Sequence, residues 1–179
     1  MSRELPFLVR SARPDDAAGW AALRCALWPD EDPGELTGET ERYFAGDRTI
    51  AEEVLVVQQR DAGSGAAGSR DAGARDVGSG EVERDGRLVA MAELSIRPFV
   101  DGCRSRDVTY LEAWFVAAEH RRSGLGRRLV AAAETWARSR GCVEMASDTD
   151  PANAPSRSAH VSCGFEEVAT VVQFRKDLR

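Results

Sequence analysis

A segment rich in glycine and arginine is the part of this sequence best suited to chemistry. It reads RRSGLGRR over residues 121–128 and precedes a run with helical spacing. Glycines let backbone amides approach a ligand closely, and the N-terminus of a helix attracts anions. Clustered arginines oppose the dipole at a helix start, so their presence there indicates an anionic ligand. The segment is therefore a candidate phosphate-binding loop, and a basic surface exposed to solvent is the alternative.

Two common phosphate-binding motifs do not match this segment. A Walker A loop requires G-x-x-x-x-G-K-[ST], which the chain lacks. A dinucleotide-binding loop requires G-x-G-x-x-G, and Leu129 stands where the third glycine belongs. The motif that remains is R-x-x-G-x-G, formed by Arg121, Gly124 and Gly126.

Two carboxylates lie at positions that are explained either by a structural partner or by a functional role. Glu112 is in the middle of the apolar run YLEAWFV, where burial of a carboxylate is costly unless it is paired or used. An ion pair with Arg104 or Arg106 is the alternative to a functional role. Asp148 ends the run CVEMASD, near the strand end where ligands of open sheets bind, and capping of the next segment is its alternative.

The spacing of apolar residues predicts the elements that position these groups. The third helix has the strongest pattern, with apolar residues recurring from Leu125 to Trp136 and Gly141 as its C-terminal stop. The order β-α-α-β-β-β-α-β-α-β predicts an α/β fold with a mixed central sheet flanked by helices. Strands are predicted at 5–10, 51–59, 86–99, 108–119, 142–148 and 168–178, and helices at 11–29, 35–46, 120–142 and 156–165.

Residues 60–86 differ from the rest of the chain. They include seven of the 16 glycines, and their apolar residues are alanines plus Val77 and Val82. Such a segment can bury too little apolar surface to compensate for the conformational entropy that it would lose on ordering. It therefore predicts a flexible loop inserted between two strands. The whole chain, 1–179, is then a single domain with this insertion, which we interpret as tolerated rather than functional.

Composition excludes several classes of function. The 179 residues carry a net charge of −6, which is unlike a nonspecific nucleic-acid binder. No run of 18 apolar residues is present, so no membrane span is predicted, and the charged N-terminus lacks the apolar core of a signal peptide. The four cysteines form no C-x-x-C pair, so neither a metal nor a redox site is predicted. We expect a cytoplasmic protein with reduced thiols.

The charges are segregated along the chain. Residues 30–53 carry a formal charge of −7, and residues 119–128 carry +3. The basic segment suits a phosphate-bearing ligand. The acidic segment suits a cationic ligand, although a solvated helix surface explains these acids equally well.

The R-x-x-G-x-G motif, with a strand before it and an amphipathic helix after it, resembles the acetyl-CoA pyrophosphate loop of the GCN5-related N-acetyltransferases (GNAT). The segments RCALWPDED, MAELSIRPFVDG, YLEAWFV, ETWARSRGCVEMASD and HVSCGFEE resemble the aminoglycoside 6′-N-acetyltransferases of that superfamily. This similarity extends over nearly the whole chain outside residues 60–86. It implies the GNAT fold, with a central sheet that splays to admit the pantetheine arm, and a homodimer.

The resemblance implies acetyl-CoA as co-substrate and no metal. The strand before the motif would lie beside the pantetheine, pair with its amides as an added strand does, and polarise the thioester carbonyl. For Asn153, an ordinary turn residue between two prolines is the alternative. The implied cofactor-binding residues are Trp114, Phe115, Val116, Arg121, Arg122, Ser123, Gly124, Leu125, Gly126, Arg127 and Asn153.

The implied acceptor is the 6′-amine of an aminoglycoside, a polycationic substrate. Glu112 and Asp148 match the substrate-binding acids of the group; they would orient the amine, and one of them or a water chain would take its proton. Trp28 and Phe99 match walls of the sugar site, and a place in the core is the alternative for both. Direct transfer in a ternary complex is expected, since no cysteine lies in a convincing nucleophile setting.

Two positions depart from the pattern of the family. His160 stands four residues before Gly164, where many GNAT members carry a tyrosine as the acid for the CoA thiolate. A histidine satisfied by its own protein is the alternative. Ala169 stands where the group tends to have a glutamate, and Glu166 and Glu167 are nearby.

Two other functions compete with this interpretation. The first is an acetyltransferase for another amine, such as a polyamine, a peptide N-terminus or lysine. The second is a CoA-binding module without catalysis, which would bind acetyl-CoA but release no thiol with any amine.

Overall fold

The computed structural model describes residues 6–60 and 86–178, and its centre is a five-stranded sheet in the order β1-β2-β3-β4-β5. The strands are β1 (Phe7–Ser11), β2 (Glu53–Gln59), β3 (Leu88–Arg97), β4 (Val108–Val116) and β5 (Met145–Ser147). The helices are α1 (Ala17–Leu27), α2 (Pro33–Phe44), α3 (Leu125–Ser139) and α4 (Ala154–Ser162). The first four strands are antiparallel neighbours and β5 runs parallel to β4, which confirms the predicted mixed sheet. Residues 61–85 of the predicted loop lie outside the described residues.

Alternation along β2 divides the core into two halves. Val54 and Val56 belong to the half that α1 and α2 cover, and Leu55 and Val57 belong to the half that α3 covers. Successive side chains of a strand point to opposite faces, so a continuous apolar run marks a strand that is buried on both faces. The predicted flanking helices are thereby confirmed.

Local signals determine where the helices begin and end. Asp32 accepts hydrogen bonds from the first amides of α2, and Pro33 takes its first position, two residues before the predicted start. The predicted helix 11–29 is a 3₁₀ turn at Pro14–Asp16 followed by α1. Gly141 follows α3 with φ +82°, which confirms the predicted stop. No helix in the described part of the chain is long and apolar enough to cross a membrane.

The predicted last strand, 168–178, is wrong. This segment has no regular secondary structure, and its apolar side chains are exposed, with Phe174 at 93%. The prediction rested on β-branched composition, but a strand also needs a neighbour for its backbone hydrogen bonds. None of the strands in the described residues pairs with this segment.

A β-bulge interrupts the pairing of β3 with β4. Leu94 lies opposite Leu111 and Glu93 lies opposite Ala113, so Glu112 is an extra residue with no partner on β3. A bulge re-aims the side chain of its extra residue, and bulges are frequent next to active sites.

The sheet opens at the same point on the other side of β4. Strand β5 pairs with β4 through three residues only, and Leu111↔Ser147 is the last pair. Residues 112–116 of β4 therefore have β3 on one side and no strand among the described residues on the other. This opening is the splayed sheet that the family resemblance implies.

A buried ion cluster joins β3 to α1 and α2. Glu93 is 2% exposed, accepts a hydrogen bond of 2.8 Å from Trp20 Nε1, and lies 3.1 Å from Arg24 Nε. Arg24 in turn lies 2.8 Å from Glu39 Oε2 of α2. Burial raises the pKa of Glu93 to about 7, against the opposing effects of the Arg24 charge and the Trp20 hydrogen bond.

We expect Glu93→Gln to remove a pH dependence of stability. Glu93 keeps its proton in the folded chain up to about pH 7, whereas its ordinary pKa is 4.5, so the free energy of unfolding falls as the pH rises between these values. The stability of the variant relative to wild type should rise by up to about 3 kcal/mol over that range. Urea titrations of both proteins at pH 5 and pH 8 measure this change, and an equal difference at the two pH values would contradict the assignment.

Candidate active site

The glycine loop forms the N-terminus of α3. Gly124 precedes the helix with φ +86°, and the first helical hydrogen bond runs from the Arg128 amide to the Gly124 carbonyl, at 3.1 Å. The amides of residues 125–127 therefore have no intrahelical acceptor. A Cβ atom at Gly126 would lie 2.9 Å from Cζ2 of the Trp114 ring, so close packing on β4 requires glycine there.

Side chains of the loop fix it to its neighbours. Arg121 Nε donates to the Val116 carbonyl of β4 at 3.1 Å, and Arg127 Nη2 donates to the Ser162 carbonyl of α4 at 3.2 Å. Ser123 donates its hydroxyl to the backbone of the preceding turn.

Arg122 is exposed and has φ +59°; within the described residues, no hydrogen bond or ion pair holds its side chain. Leu125 is 2% exposed and belongs to the core.

A buried donor without a partner in the described part of the chain belongs to the side chain of Trp114 on β4. The Nε1–H of Trp114 is buried and has no hydrogen-bond partner among the described residues. It adjoins the unpaired stretch of β4, whose backbone groups also lack a strand on that side. Phe115 packs on the opposite half of the core from Trp114 and Val116. The opening can therefore accept an extended arm that carries amide groups.

His160 closes one side of this opening. Its ring lies edge-on to the rings of Trp114 and Phe165, with centroids 5.2 Å away in both cases. Its Nδ1–H donates to the Ser156 carbonyl at 2.8 Å, and its Nε2 lies 3.0 Å from the Ser147 hydroxyl. Both ring nitrogens thus have a protein atom within hydrogen-bond distance, and the Ser147 hydroxyl, which also donates to the Leu111 carbonyl, has one proton for the two acceptors.

Asn153 is the N-cap of α4, because its side-chain oxygen accepts from the Ser156 amide at 3.1 Å. It is more than the simple turn residue considered from the sequence. The side-chain amide group remains exposed toward solvent or a ligand.

Glu112 is an ion-pair partner of Arg97, and not of Arg104 or Arg106 as the sequence suggested. Arg97 Nε and Nη2 lie 3.0 and 2.5 Å from the two carboxylate oxygens, and the Ser95 hydroxyl also donates to the carboxylate. The correction has a simple cause, since Ser95 and Arg97 follow the bulge on the neighbouring strand. Arg104 and Arg106 lie in the loop before β4 instead.

Tyr110 and Arg97 link the two predicted acids. The Arg97 guanidinium lies 3.4 Å from the centroid of the Tyr110 ring. Burial, then a hydrogen bond to Asp148 and the charge of that carboxylate, raises the pKa of Tyr110 to about 12. The tyrosine therefore stays neutral at physiological pH.

An open cavity of about 720 Å³ lies beside this group. Its wall includes Arg97, Phe99, Tyr110, Asp148 and Glu166. Phe99 is 64% exposed, so the alternative of a core position does not apply to it. The cavity is thus lined by carboxylates, aromatic rings and three arginines, which are Arg97, Arg104 and Arg138.

Trp28 lies elsewhere. It lines a separate cavity of about 250 Å³ with Glu35 and Glu39 of α2, and the Arg24 guanidinium lies 5.2 Å from its ring centroid. The structure therefore does not bring Trp28 together with Phe99 in one cavity. Trp28 is partly buried against the half of the core that α1 and α2 cover, in agreement with the alternative that it belongs to the core.

The two glutamates near Ala169 differ in their surroundings. Glu167 is held by two hydrogen bonds from Arg157, at 2.8 and 2.7 Å. Glu166 lines the large cavity together with Ala169. Of the two, Glu166 is the carboxylate placed to meet a ligand.

Arg97 and Tyr110 are the residues that sequence reasoning missed. Alternation along β3 places Arg97 on the same face as Ser95, and alternation along β4 places Tyr110 on the same face as Glu112. Only a known register shows which of these side chains meet across the two strands. The bulge at Glu112 shifts that register by one residue, and no turn residue marks it.

Comparison with known proteins gives consistent matches. Residues 20–165 match the model of the Acetyltransferase (GNAT) family. The chain is 40% identical over 171 residues to an aminoglycoside N(6′)-acetyltransferase type 1 of Klebsiella aerogenes, covering 96% of this chain and 97% of that protein. A similar protein of Stenotrophomonas maltophilia, with the same name, is 37% identical over 95% of this chain and 93% of its own length.

A solved structure has the same fold. The aminoglycoside N-acetyltransferase AAC(6′)-Iy in complex with CoA superposes with a TM-score of 0.77 at 28% identity, over 99% of each chain. Another structure of AAC(6′)-Iy contains the bisubstrate analogue CoA-S-monomethyl-acetylneamine. Among the described residues of this chain, no three histidine, cysteine or acidic side chains are grouped to hold a metal ion.

We expect Gly124→Ala to weaken acetyl-CoA binding at least about tenfold, because a left-handed backbone with a side chain costs about 1–2 kcal/mol and shifts the amides of the loop. Gly141→Ala is the matched control, since Gly141 has φ +82° and equally open surroundings at the other end of α3. Isothermal titration with CoA and thermal melts of both variants make the comparison. If Gly124→Ala and Gly141→Ala lose similar stability and bind CoA with equal affinity, the loop does not bind the cofactor.

Proposed function

The chain belongs to the acetyltransferase (GNAT) family, and on that premise we propose that it transfers an acetyl group from acetyl-CoA to the 6′-amine of aminoglycoside antibiotics and so confers resistance. The observation that carries the proposal is the opening of the sheet beside β4. It leads to the glycine loop of α3 at one end and to the group formed by Glu112, Arg97 and Asp148 at the other.

The cofactor site that we propose fits the residues present. The unpaired backbone of 112–116 and the Nε1–H of Trp114 would bind the amides of the pantetheine arm. The amides of 125–127 and the exposed Arg122 would bind the pyrophosphate. Arg121, Ser123 and Arg127 hold the loop in this arrangement through their own backbone contacts. Acetyl-CoA would supply the thioester.

The acetyl group is proposed to move directly from thioester to amine. A route through an acetylated cysteine would need a reactive thiolate. Burial raises the pKa of Cys103, which lowers its thiolate fraction, and Cys142 is buried. Backbone groups of β4 next to the bulge would polarise the thioester carbonyl. The C–N bond forms as the C–S bond breaks, and the thiolate leaves as CoA.

The acceptor amine would be oriented by carboxylates. Asp148 is exposed in the wall of the large cavity, which also includes Tyr110. It is the group that we propose to bind the reacting amine and to accept its proton, directly or through water. Glu112 and Glu166 would bind further ammonium groups, and Phe99 would contact the sugar.

A screen of acceptors tests this function. Release of CoA thiol should be rapid with aminoglycosides that carry a 6′-amine and absent with those that carry a 6′-hydroxyl. Polyamines, a lysine peptide and a peptide N-terminus serve as alternative acceptors. Rapid acetylation of a peptide without reaction of any aminoglycoside would overturn the proposal, and CoA binding without thiol release for any amine would indicate a binding module.

Asp148→Asn should lower kcat at least about a hundredfold while the KM for acetyl-CoA changes less than about threefold, because the amide cannot accept the proton. Asp150→Asn is the control: it removes the same charge two residues away, and the Asp150 side chain accepts from the Ala152 amide of its own turn, which an asparagine oxygen can also do. Steady-state kinetics of both variants measure the effect. Wild-type turnover by Asp148→Asn would remove this residue from the mechanism.

We also propose a cytoplasmic homodimer. The four cysteines are all unpaired, as in a reducing compartment. The exposed apolar side chains of 168–178 and the short edge strand β5 form a surface of the kind that partner chains cover.

Light scattering on the full chain should give about twice the 19.5 kDa chain mass. Phe174→Asp should shift the mass toward the monomer, because a charge in an apolar interface is costly. Val161→Asp, at an exposed residue of α4 outside both the 168–178 segment and β5, should not. A monomeric wild-type chain at micromolar concentration would contradict the proposed dimer.

A further inference from the structure

The protein's own arginine occupies the place where a cationic substrate would bind Glu112. Both carboxylate oxygens of Glu112 face the Arg97 guanidinium, at 3.0 and 2.5 Å, and Ser95 donates to the same carboxylate. The guanidinium also covers the Tyr110 ring, 3.4 Å from its centroid. While Arg97 stays in place, the guanidinium therefore neutralises the Glu112 charge and contacts both of its oxygens, so an incoming ammonium group has to compete with it.

Arg97 is held more loosely than the buried arginines of the chain. Its side chain is 42% exposed and that of Glu112 is 23% exposed. Arg24, by contrast, is 5% exposed and lies between Glu39 and Glu93. Solvent and salt screen a partly exposed pair more than a buried one, so the Arg97–Glu112 pair is easier to break than the pairs of Arg24.

We propose that Arg97 is a displaceable counter-ion that makes the acceptor site selective for polycations. In the free enzyme its guanidinium neutralises Glu112, and in the complex an ammonium group of the acceptor takes its place. The inference rests on the proposed function, because it takes Glu112 to be a substrate-binding acid.

Selectivity follows from charge. A polycation can bind Asp148 through one ammonium group and bring a second one to Glu112, so displacement of Arg97 becomes an intramolecular step at high effective concentration. A monoamine bound at Asp148 has no second charge to compete with the guanidinium. Departure of Arg97 also uncovers the Tyr110 ring, which a cation or a sugar ring can then contact.

The competing explanation is that Arg97 positions Glu112 for catalysis. The two explanations predict opposite results when the guanidinium is removed. A counter-ion is a competitor, so its removal should improve acceptor binding. A positioning residue is required, so its removal should weaken binding or turnover.

In Arg97→Ala we expect the KM for a 6′-amino aminoglycoside to fall about three- to fivefold, with the KM for acetyl-CoA unchanged. The gain should be larger for a monoamine acceptor such as 6-amino-6-deoxyglucose, because it could not displace the arginine. Arg42→Ala is the control, since it removes the same charge from an exposed arginine of α2 without contact to Glu112. Arg97→Gln repeats the test if the alanine variant does not fold.

Ethylguanidine gives the sharpest discrimination. In Arg97→Ala it should inhibit competitively with the aminoglycoside, because it fills the vacated position, and wild type should be insensitive at the same concentration. Restoration of activity by ethylguanidine, or a higher acceptor KM in Arg97→Ala than in wild type, would overturn the inference. Failure of the wild-type enzyme to acetylate any aminoglycoside would instead refute the proposed function.

Discussion

The structure depends on one constraint: strand β4 leaves its parallel neighbour after Leu111 and continues for five more residues with one edge unpaired. Unpaired backbone groups inside a folded chain need other partners; Arg121 supplies one to the Val116 carbonyl, and neither the described strands nor His160 supplies the rest. The same strand then leads into Gly124 and the unpaired amides of α3. Backbone donors and acceptors thus form one continuous track, which suits a ligand with amides at one end and phosphates at the other.

The bulge at Glu112 connects this track to the acceptor side. As the extra residue of β4, Glu112 meets Arg97 and Ser95 of β3 instead of a cross-strand partner. Arg97 in turn stacks on Tyr110, whose pKa is raised by burial and by the nearby Asp148 carboxylate. The acids proposed to bind the substrate therefore belong to one hydrogen-bonded and charged group, and a change at one of them alters the others.

Much of this arrangement follows from the sequence, for identifiable reasons. The apolar residues of α3 recur with a strong helical period, and the glycines before it suit the close approach of a ligand to the backbone. Gly124 and Gly126 were therefore recognisable from the sequence. Arg97 was not, because its partner depends on a register that the bulge shifts. The segment 168–178 has the composition of a strand, but composition carries no information about whether a neighbouring strand exists.

Amide hydrogen exchange with and without CoA reads these backbone groups themselves. We expect CoA to slow exchange in residues 112–116 and 124–127, while the amides of β1 and β2 on the far side of the sheet change little. Saturating CoA that leaves both segments as fast as in the free enzyme, or protects another part of the chain instead, would contradict the proposed cofactor site.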